Sequence, residues 1–541
     1  MSRTRTQGRL LLVISLAALA SCARLTEPRY APDDEEDAAL AAQAQHELEV
    51  QAQAKLAAGG PNEATGPGPA TSASPAAGPA TGPSPATSTT PATGPSPATS
   101  ATTATGPSPA TSTTTATGPT VAIPSGPLVP ASAAQDDYAA YKVSADLAKA
   151  AYDRRDFAVF LDHSRRAALA APYLPKAIYN LACAYAVNRD AANAAATLDR
   201  LSSRKVYFDI AADADFDAVK DAPEIRGARE RLEAVKTPIG RSAPAMSIPE
   251  KDLIPDGIAY DPTSGSFFVG SVYKRKIVRI AADGARSDFA TDTQHGLYAV
   301  LGLAVDNARR ILWACGSIVP EMSGYRPEDK GQAAIFQIDL STGRLVKKVA
   351  LSDPGREHNL NDLAIDSLGN LYISDAASSA VYTLPNGADT LQSFLEPGKL
   401  GSPNGIAFSP DERVMYIADY SRGIARVERD TRAISYLTPP TDAVLVGIDG
   451  LRTYKGDLIA IQNGIRPHRV VKLGLTGDGR AVRDAQVLEM NSPFFREPTL
   501  GTISGQDFYY IANSQWGSFT GGAIWPADRL TDVVILRMKL D

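Results

Sequence analysis

The last 300 or so residues predict an all-β six-bladed propeller, on three observations. From about Ile239, short β-rich runs punctuated by Gly, Asp-Gly and Pro replace the helical periodicity of the residues before them. A turn signature recurs within those runs as Pro255-Asp256-Gly257-Ile258, Leu360-Asn361-Asp362-Leu363, Pro403-Asn404-Gly405-Ile406 and Ile448-Asp449-Gly450-Leu451, each followed by a strand-like stretch. The step between copies is regular: Gly257, Gly302, Asp362, Gly405 and Gly450 lie 45, 60, 43 and 45 residues apart. That is the length of a four-stranded blade, with one insertion in the second blade assigned to Ser317–Gly331. A sandwich would not produce near-equal steps.

The elements follow in order. Six copies fit between Pro249 and Asp541, and the propeller is assigned to residues 243–541. The fifth copy, Leu301-Gly302-Leu303, has an apolar residue at the signature position, and the sixth, Pro498-Thr499-Leu500, has proline there. The closing strand is expected in Asp532–Met538. Asp261, Asp306, Asp366 and Asp411 stand at equivalent turns, where a short carboxylate hydrogen-bonds backbone two residues on, so they read as hairpin pins without chemistry.

Repeats arranged about an axis bring equivalent positions together. Asp256, Asn361, Asn404 and Asp449 should therefore converge at the start of the innermost strands. Two carboxylates and two amides form a hard-oxygen set carrying formal −2, which suits a divalent cation, Ca²⁺ in particular because its coordination is flexible. Without a cation, two carboxylates that close would repel and raise one pKa. His46, His163, His295, His358 and His468 form no spaced pair, which disfavours zinc and copper. Gln462, Asn463, His468, Arg496, Glu497 and Asn513 lie near strand starts as candidates for lining the funnel and are read as structural.

Residues 245–541 resemble the calcium-dependent propellers of the senescence-marker-protein and gluconolactonase family, with diisopropylfluorophosphatase and paraoxonase as more distant relatives. The resemblance rests on Pro255-Asp256-Gly257, Asn361-Asp362, Pro403-Asn404-Gly405 with Ser409-Pro410-Asp411, Tyr416 to Asp419, and Ile448-Asp449-Gly450. It implies Asp256, Asn361, Asn404 and Asp449 as the metal ligands. The family usually has Glu at the first position, and Asp256 is one methylene shorter. It also implies hydrolysis of a lactone or related ester, sugar-derived in some members. The cation would polarise the carbonyl, and a carboxylate would take a proton from water. Asp449 is the first candidate for that carboxylate and Asp362 the second.

The N-terminal half contains no such chemistry. Arg3, Arg5 and Arg9, the apolar run Leu10–Ala20 and then Ser21-Cys22 form a secretory signal too short to span a bilayer. Leu19-Ala20-Ser21-Cys22 resembles the bacterial lipoprotein box, so residues 1–21 are expected to be removed and Cys22 lipidated. The chain is then expected on the cell envelope, at the outer membrane, with the membrane as a partner through its lipid. Loss of those three arginines takes the formal net charge from −6 to −9, and no Lys/Arg cluster replaces them, which argues against nucleic acid. Residues 22–58 are acidic and Ala-rich. Residues 59–135 repeat Ala-Thr-Gly-Pro-Ser-Pro from Ala80, Ala92 and Ala104 and read as a disordered tether, roughly 50 Å as a coil and at most roughly 230 Å as a polyproline rod.

Residues 136–238 are expected to form a small all-α domain. Apolar and alanine positions recur every three or four residues over about 136–153, 155–171, 174–188 and 190–203, with two shorter segments after them. The stretch from Leu174 to Ala194 resembles a tetratricopeptide repeat, with Pro175 opening its first helix and Asn188-Arg189-Asp190 turning the chain. Such repeats imply a protein partner. Cys183 and Cys315 are too few for a disulfide framework and read as buried and unpaired. No G-x-S-x-G elbow and no phosphate-binding glycine loop occurs. The alternative to a hydrolase is a non-catalytic envelope scaffold whose cation is structural.

Overall fold

The computed structural model describes residues 138–351 and 355–541. The signal segment, Cys22, residues 22–58 and the 59–135 tether lie outside the described residues. No helix among the described residues is long and apolar enough to cross a membrane.

Among the described residues five α-helices come first: α1 (Tyr138–Asp153), α2 (Phe157–Ala170), α3 (Pro175–Val187), α4 (Ala191–Ser203) and α5 (Pro223–Ala234). Their ends follow local chemistry. Asp156 and Asp190 cap α2 and α4 by accepting from Val159 N and Asn193 N, which satisfies amides that have no partner within the helix. Pro175 and Pro223 open α3 and α5, where a missing N–H costs nothing. Helix α3 is buried nearly all round, with Ala177, Ala182, Ala184 and Ala186 letting its neighbours approach closely. Cys183 is buried in this helix and Cys315 in the propeller, and neither forms a disulfide.

The remainder is a propeller of six four-stranded antiparallel sheets. The inner strands are Pro255–Asp261, Ala299–Asp306, Leu360–Ile365, Pro403–Phe408, Ile448–Tyr454 and Gly501–Ser504, numbered here as blades 1 to 6. Each packs on the next, and the sixth on the first, so the ring closes. The sixth sheet runs Ala243–Ile248, Val533–Lys539, Asp507–Ile511, Gly501–Ser504 from outside to inside. The C-terminal strand expected to close the ring is thus only the third of its blade. The outermost is the strand preceding blade 1, so both ends of the domain are tied into one sheet. This leaves no unpaired end to fray.

Between each pair of neighbouring blades lies one apolar cluster. Phe268, Leu303 and Phe336 join blades 1 and 2; Cys315, Ile335 and Ile373 join 2 and 3; Tyr372, Ile406 and Ile417 join 3 and 4. Tyr416, Leu451 and Leu458 join 4 and 5, Ile461, Tyr510 and Leu536 join 5 and 6, and Ile258, Val269 and Ile535 join 6 and 1. Second strands are therefore buried on both faces, as in Ser266–Ser271 and Val414–Asp419, and carry no alternation.

Polar side chains at the ends of the second strands lock the segments leading into the inner strands. Ser317 Oγ accepts from Leu360 N at 2.8 Å, and Asp375 Oδ1 from Asn359 N at 2.9 Å. Asp419 takes Gly401 N and Ser402 N, and Gln462 donates to Val444 O and Val446 O. Buried loop amides would otherwise be orphaned. The hairpin acids behave as the sequence suggests: Asp261 accepts from Thr263 N, Asp306 from Arg309 N, Asp366 from Leu368 N and Asp411 from Arg413 N. Asp261 and Asp366 also bridge blades through Arg310 and Arg429 at 2.6 Å.

Candidate active site

Five inner strands carry a bulge at the same place. Pairing with the second strand slips between Pro255 and Ile258, Val300 and Leu303, Leu360 and Leu363, Pro403 and Ile406, and Ile448 and Leu451. The extra residue breaks the in-out alternation and re-aims the side chains there. The first bulged residues are Asp256, Leu301, Asn361, Asn404 and Asp449. Glycine follows in four of them because the next inner strand presses on it. A methyl group on Gly302 would lie 2.6 Å from Asn361 O, one on Gly405 2.6 Å from Asp449 O, and one on Gly450 2.7 Å from Thr499 O. By that stacking Thr499, not Pro498, holds the equivalent station in blade 6. Its hydroxyl turns back to Asp256 O at 2.9 Å.

The four oxygen-bearing side chains have specific partners. Asn361 Nδ2 donates to Asn404 Oδ1, so those two amides touch. Asp449 Oδ2 accepts from Asn463 Nδ2 at 2.7 Å, and Asn463 Oδ1 accepts from Tyr420 Oη at 3.0 Å. Asp256 Oδ1 accepts from Trp516 Nε1 at 3.0 Å. Burial raises both acids. Asp256 is driven well above the carboxylate range by burial and by the charge of Asp449, against the pull of Trp516, with Asp362 and Glu497 adding to the rise. Asp449 is pushed up to about 7 by burial and by Asp362, opposed by Asn463. Burial and the Asp449 and Glu497 charges also push the Tyr420 phenol up, so it stays a donor.

Asp362 sits apart from this set in its chemistry. It is fully buried, with Oδ2 2.7 Å from Arg452 Nη1 and Oδ1 3.3 Å from Nη2, and Ile406 N reaches Oδ2 at 3.4 Å. Asp362 is thus held in an ion pair with Arg452. Cys315 lies close enough for Asp362 and Asp256 to add to the burial that raises its thiol, so it is inert.

The donor chemistry fits a hard cation. Two buried carboxylates, one of them raised by the charge of the other, gain from a positive ion, and two amides in contact can each offer an oxygen once one rotates. Of the other residues near strand starts, Asn463 is a partner of the site that the sequence reading took as structural. Gln462 and Asn513 are structural: Asn513 donates to Thr531 Oγ1 and Asp532 O and accepts from Val534 N. Burial and nearby Arg466 lower His468 to about 3, which leaves it neutral at pH 7. Trp516 had no repeat position to reveal it, whereas Arg452 stands on its inner strand where Ala259, Ala304, Ala364 and Ala407 stand on theirs, a departure the repeat makes visible.

Similar solved structures include a gluconolactonase from Xanthomonas campestris, 18% identical over 56% of this chain and 99% of that chain with a TM-score of 0.38. The calcium-binding protein regucalcin from Agrobacterium tumefaciens is 16% identical over 55% and 93%, TM-score 0.39. A PQQ-bound aldose sugar dehydrogenase from Streptomyces coelicolor is 12% identical over 55% and 97%, TM-score 0.39. No curated protein matches the chain. Residues 314–435, from the second strand of blade 2 to the outer strand of blade 4, match the family model described as SMP-30/Gluconolactonase/LRE-like region.

Proposed function

We propose that the propeller is a calcium-dependent hydrolase of lactones or related esters, acting at the mouth ringed by Asp256, Asn361, Asn404 and Asp449. The observation that carries this reading is the pair of buried acids, Asp256 and Asp449, each raised above its ordinary range and each held by one neutral donor. When bound, the cation supplies a Lewis acid for the carbonyl oxygen and for the negative charge that develops on it. The two carboxylates bring the balancing charge, and Asn361 and Asn404 bring neutral oxygens. Asn463 keeps Oδ2 of Asp449 in place, which leaves Oδ1 to take the proton of the attacking water. Trp516 fixes Asp256 in the same way. Arg452 keeps Asp362 out of that exchange.

The mouth is polar on one side only. Leu301 belongs to an apolar cluster with Ile254, and half-buried Trp516 and Phe519 pack on it. A hydroxyl buried there without a partner costs about 1–3 kcal/mol, so alkyl-substituted lactones should outrun polyhydroxylated ones. A lactone panel assayed with and without chelator is the test. Turnover should vanish on calcium removal and return with calcium. Turnover that survives complete metal removal would falsify the mechanism.

The setting of the enzyme is part of the proposal. Cys22 is lipidated, residues 59–135 tether the folded part, and the chain sits at the outer membrane. The helical module acts as a tetratricopeptide-like docking surface, for which Val143, Leu147 and Val159 offer exposed apolar side chains. Intact cells give the check. Labelled palmitate should enter the wild type but not Cys22→Ser, and a protein crosslinked to the wild type should be lost with Leu147→Asp. The opposite result in either arm removes that part.

A further inference from the structure

Arg469, at the start of the third strand of blade 5, is 3% exposed. Burial brings its guanidinium down to about 10, so it remains charged at neutral pH. Among the described residues its hydrogen-bond partners include no carboxylate. Nε donates to Gln462 Oε1 at 2.9 Å, and Nη1 donates to Arg204 O at 3.2 Å and Lys205 O at 3.1 Å, the carbonyls that follow the last turn of α4. The negative end of a helix favours a cation, but a buried charge balanced only by carbonyls is a poor device for stability. Its position gives it another use.

From Arg469 a series of hydrogen bonds, linked through the Val446–Gly447 peptide and through Tyr420 itself, runs to Asp449. Gln462, 1% exposed, passes the contact on through Nε2 to Val444 O at 3.0 Å and Val446 O at 2.9 Å. Gly447 N then bonds Tyr420 O at 2.8 Å, and Gly464 N bonds Gly447 O at 3.1 Å. Tyr420 Oη holds Asn463, and Asn463 holds Asp449. The apolar packing follows the same route. Val444, Val446 and Ile465 belong to the buried core of the helical module, together with Leu201 and Val206. Arg204 Nε to Thr441 O at 2.9 Å and Tyr207 N to Arg466 O at 2.8 Å complete the seam.

We infer that Arg469 is a positioning residue for Asp449, and that the end of α4 is thereby a structural part of the cation site. The helical module is not an appendage joined to a self-sufficient propeller. It clamps both loops of blade 5 that orient the acid. This rests on the reading of Asp449 as a cation ligand.

The test is Arg469→Met in the full chain, with calcium affinity measured by calorimetry and backbone hydrogen exchange followed at Gly447 and Gly464. Loss of a direct outer partner of a metal ligand typically weakens binding 10–100-fold; Arg469 acts on that partner through Gln462 and Tyr420, so affinity should fall by about three- to tenfold and both amides should exchange faster. Arg426→Met removes another buried arginine, one paired with Glu428 in blade 4, and should leave calcium affinity unchanged. If Arg469→Met does not fold, Gln462→Met interrupts the same route and is read in the same way. Wild-type calcium affinity in the folded variant overturns the inference. Should the wild type bind no calcium, the cation reading falls by itself. Exchange at Gly447 and Gly464 then decides, since unchanged protection overturns the coupling and faster exchange sustains it.

Discussion

Asp449→Asn should abolish calcium-dependent turnover while leaving the propeller folded. The substitution keeps shape and removes one of the two formal charges that balance the cation. Outer partners of metal ligands are already worth 10–100-fold, so loss of a ligand charge should weaken calcium by at least about 100-fold. It also removes the group assigned to take the proton. The fold should tolerate the change because burial already holds the Asp449 carboxyl near 7. A carboxyl raised on folding weakens the native state as pH climbs from its unfolded value, about 4, toward that raised value. The neutral amide escapes this penalty. Thermal unfolding in chelator should therefore give a midpoint no lower than wild type, and calcium should no longer raise it. Full turnover by the variant on a substrate the wild type hydrolyses would discard Asp449 as cation ligand and proton acceptor.

Gly302→Ala should cost more stability than a typical surface or partly buried substitution. Its added methyl would meet Asn361 O at 2.6 Å and Asp362 Cα at 2.7 Å, both backbone atoms of the neighbouring inner strand. A flexible side chain could step aside, but these atoms belong to a closed ring whose six strands each brace the next. Overpacking of this kind costs typically 1–3 kcal/mol where side chains can adjust, so about 3 kcal/mol or more is expected here. Blades 2 and 3 would be wedged apart at the bulge that carries Asn361, so calcium affinity should drop along with the urea midpoint. Gly284→Ala makes a fair comparison. Its positive φ strains the backbone, but nothing lies within 4 Å of the added methyl, so any loss there reports the strain of one turn. A Gly302→Ala midpoint matching wild type would show that the inner strands yield more easily than their spacing implies.

What the sequence made legible is whatever the repeat makes periodic. Equivalent positions in successive blades share a backbone path, so a step near 45 residues locates the inner strands of the first five blades and the hairpin acids of the first four. The helices were legible for a similar reason, since apolar spacing, Asp156, Pro175 and Asp190 mark them locally. The reading slipped where periodicity broke. In blade 6 the short stretch around Pro498 shifted the equivalent station to Thr499, and the strand closing the ring proved to be Ala243–Ile248, ahead of the first recognisable copy.

By itself, then, the sequence determined the six-fold architecture and a set of candidate oxygen donors on its inner strands. Only the tertiary structure decided what holds those donors. Trp516 reaches Asp256 across 260 residues of chain, and Arg452 reaches Asp362 across 90. The physical reason is that strand positions are dictated by backbone hydrogen bonding, which repeats. Side-chain partners depend on which residue a blade places at a station, as with Arg452 where other blades have alanine, or brings in on a loop, as with Trp516 after Ile511, and backbone pairing does not dictate that choice.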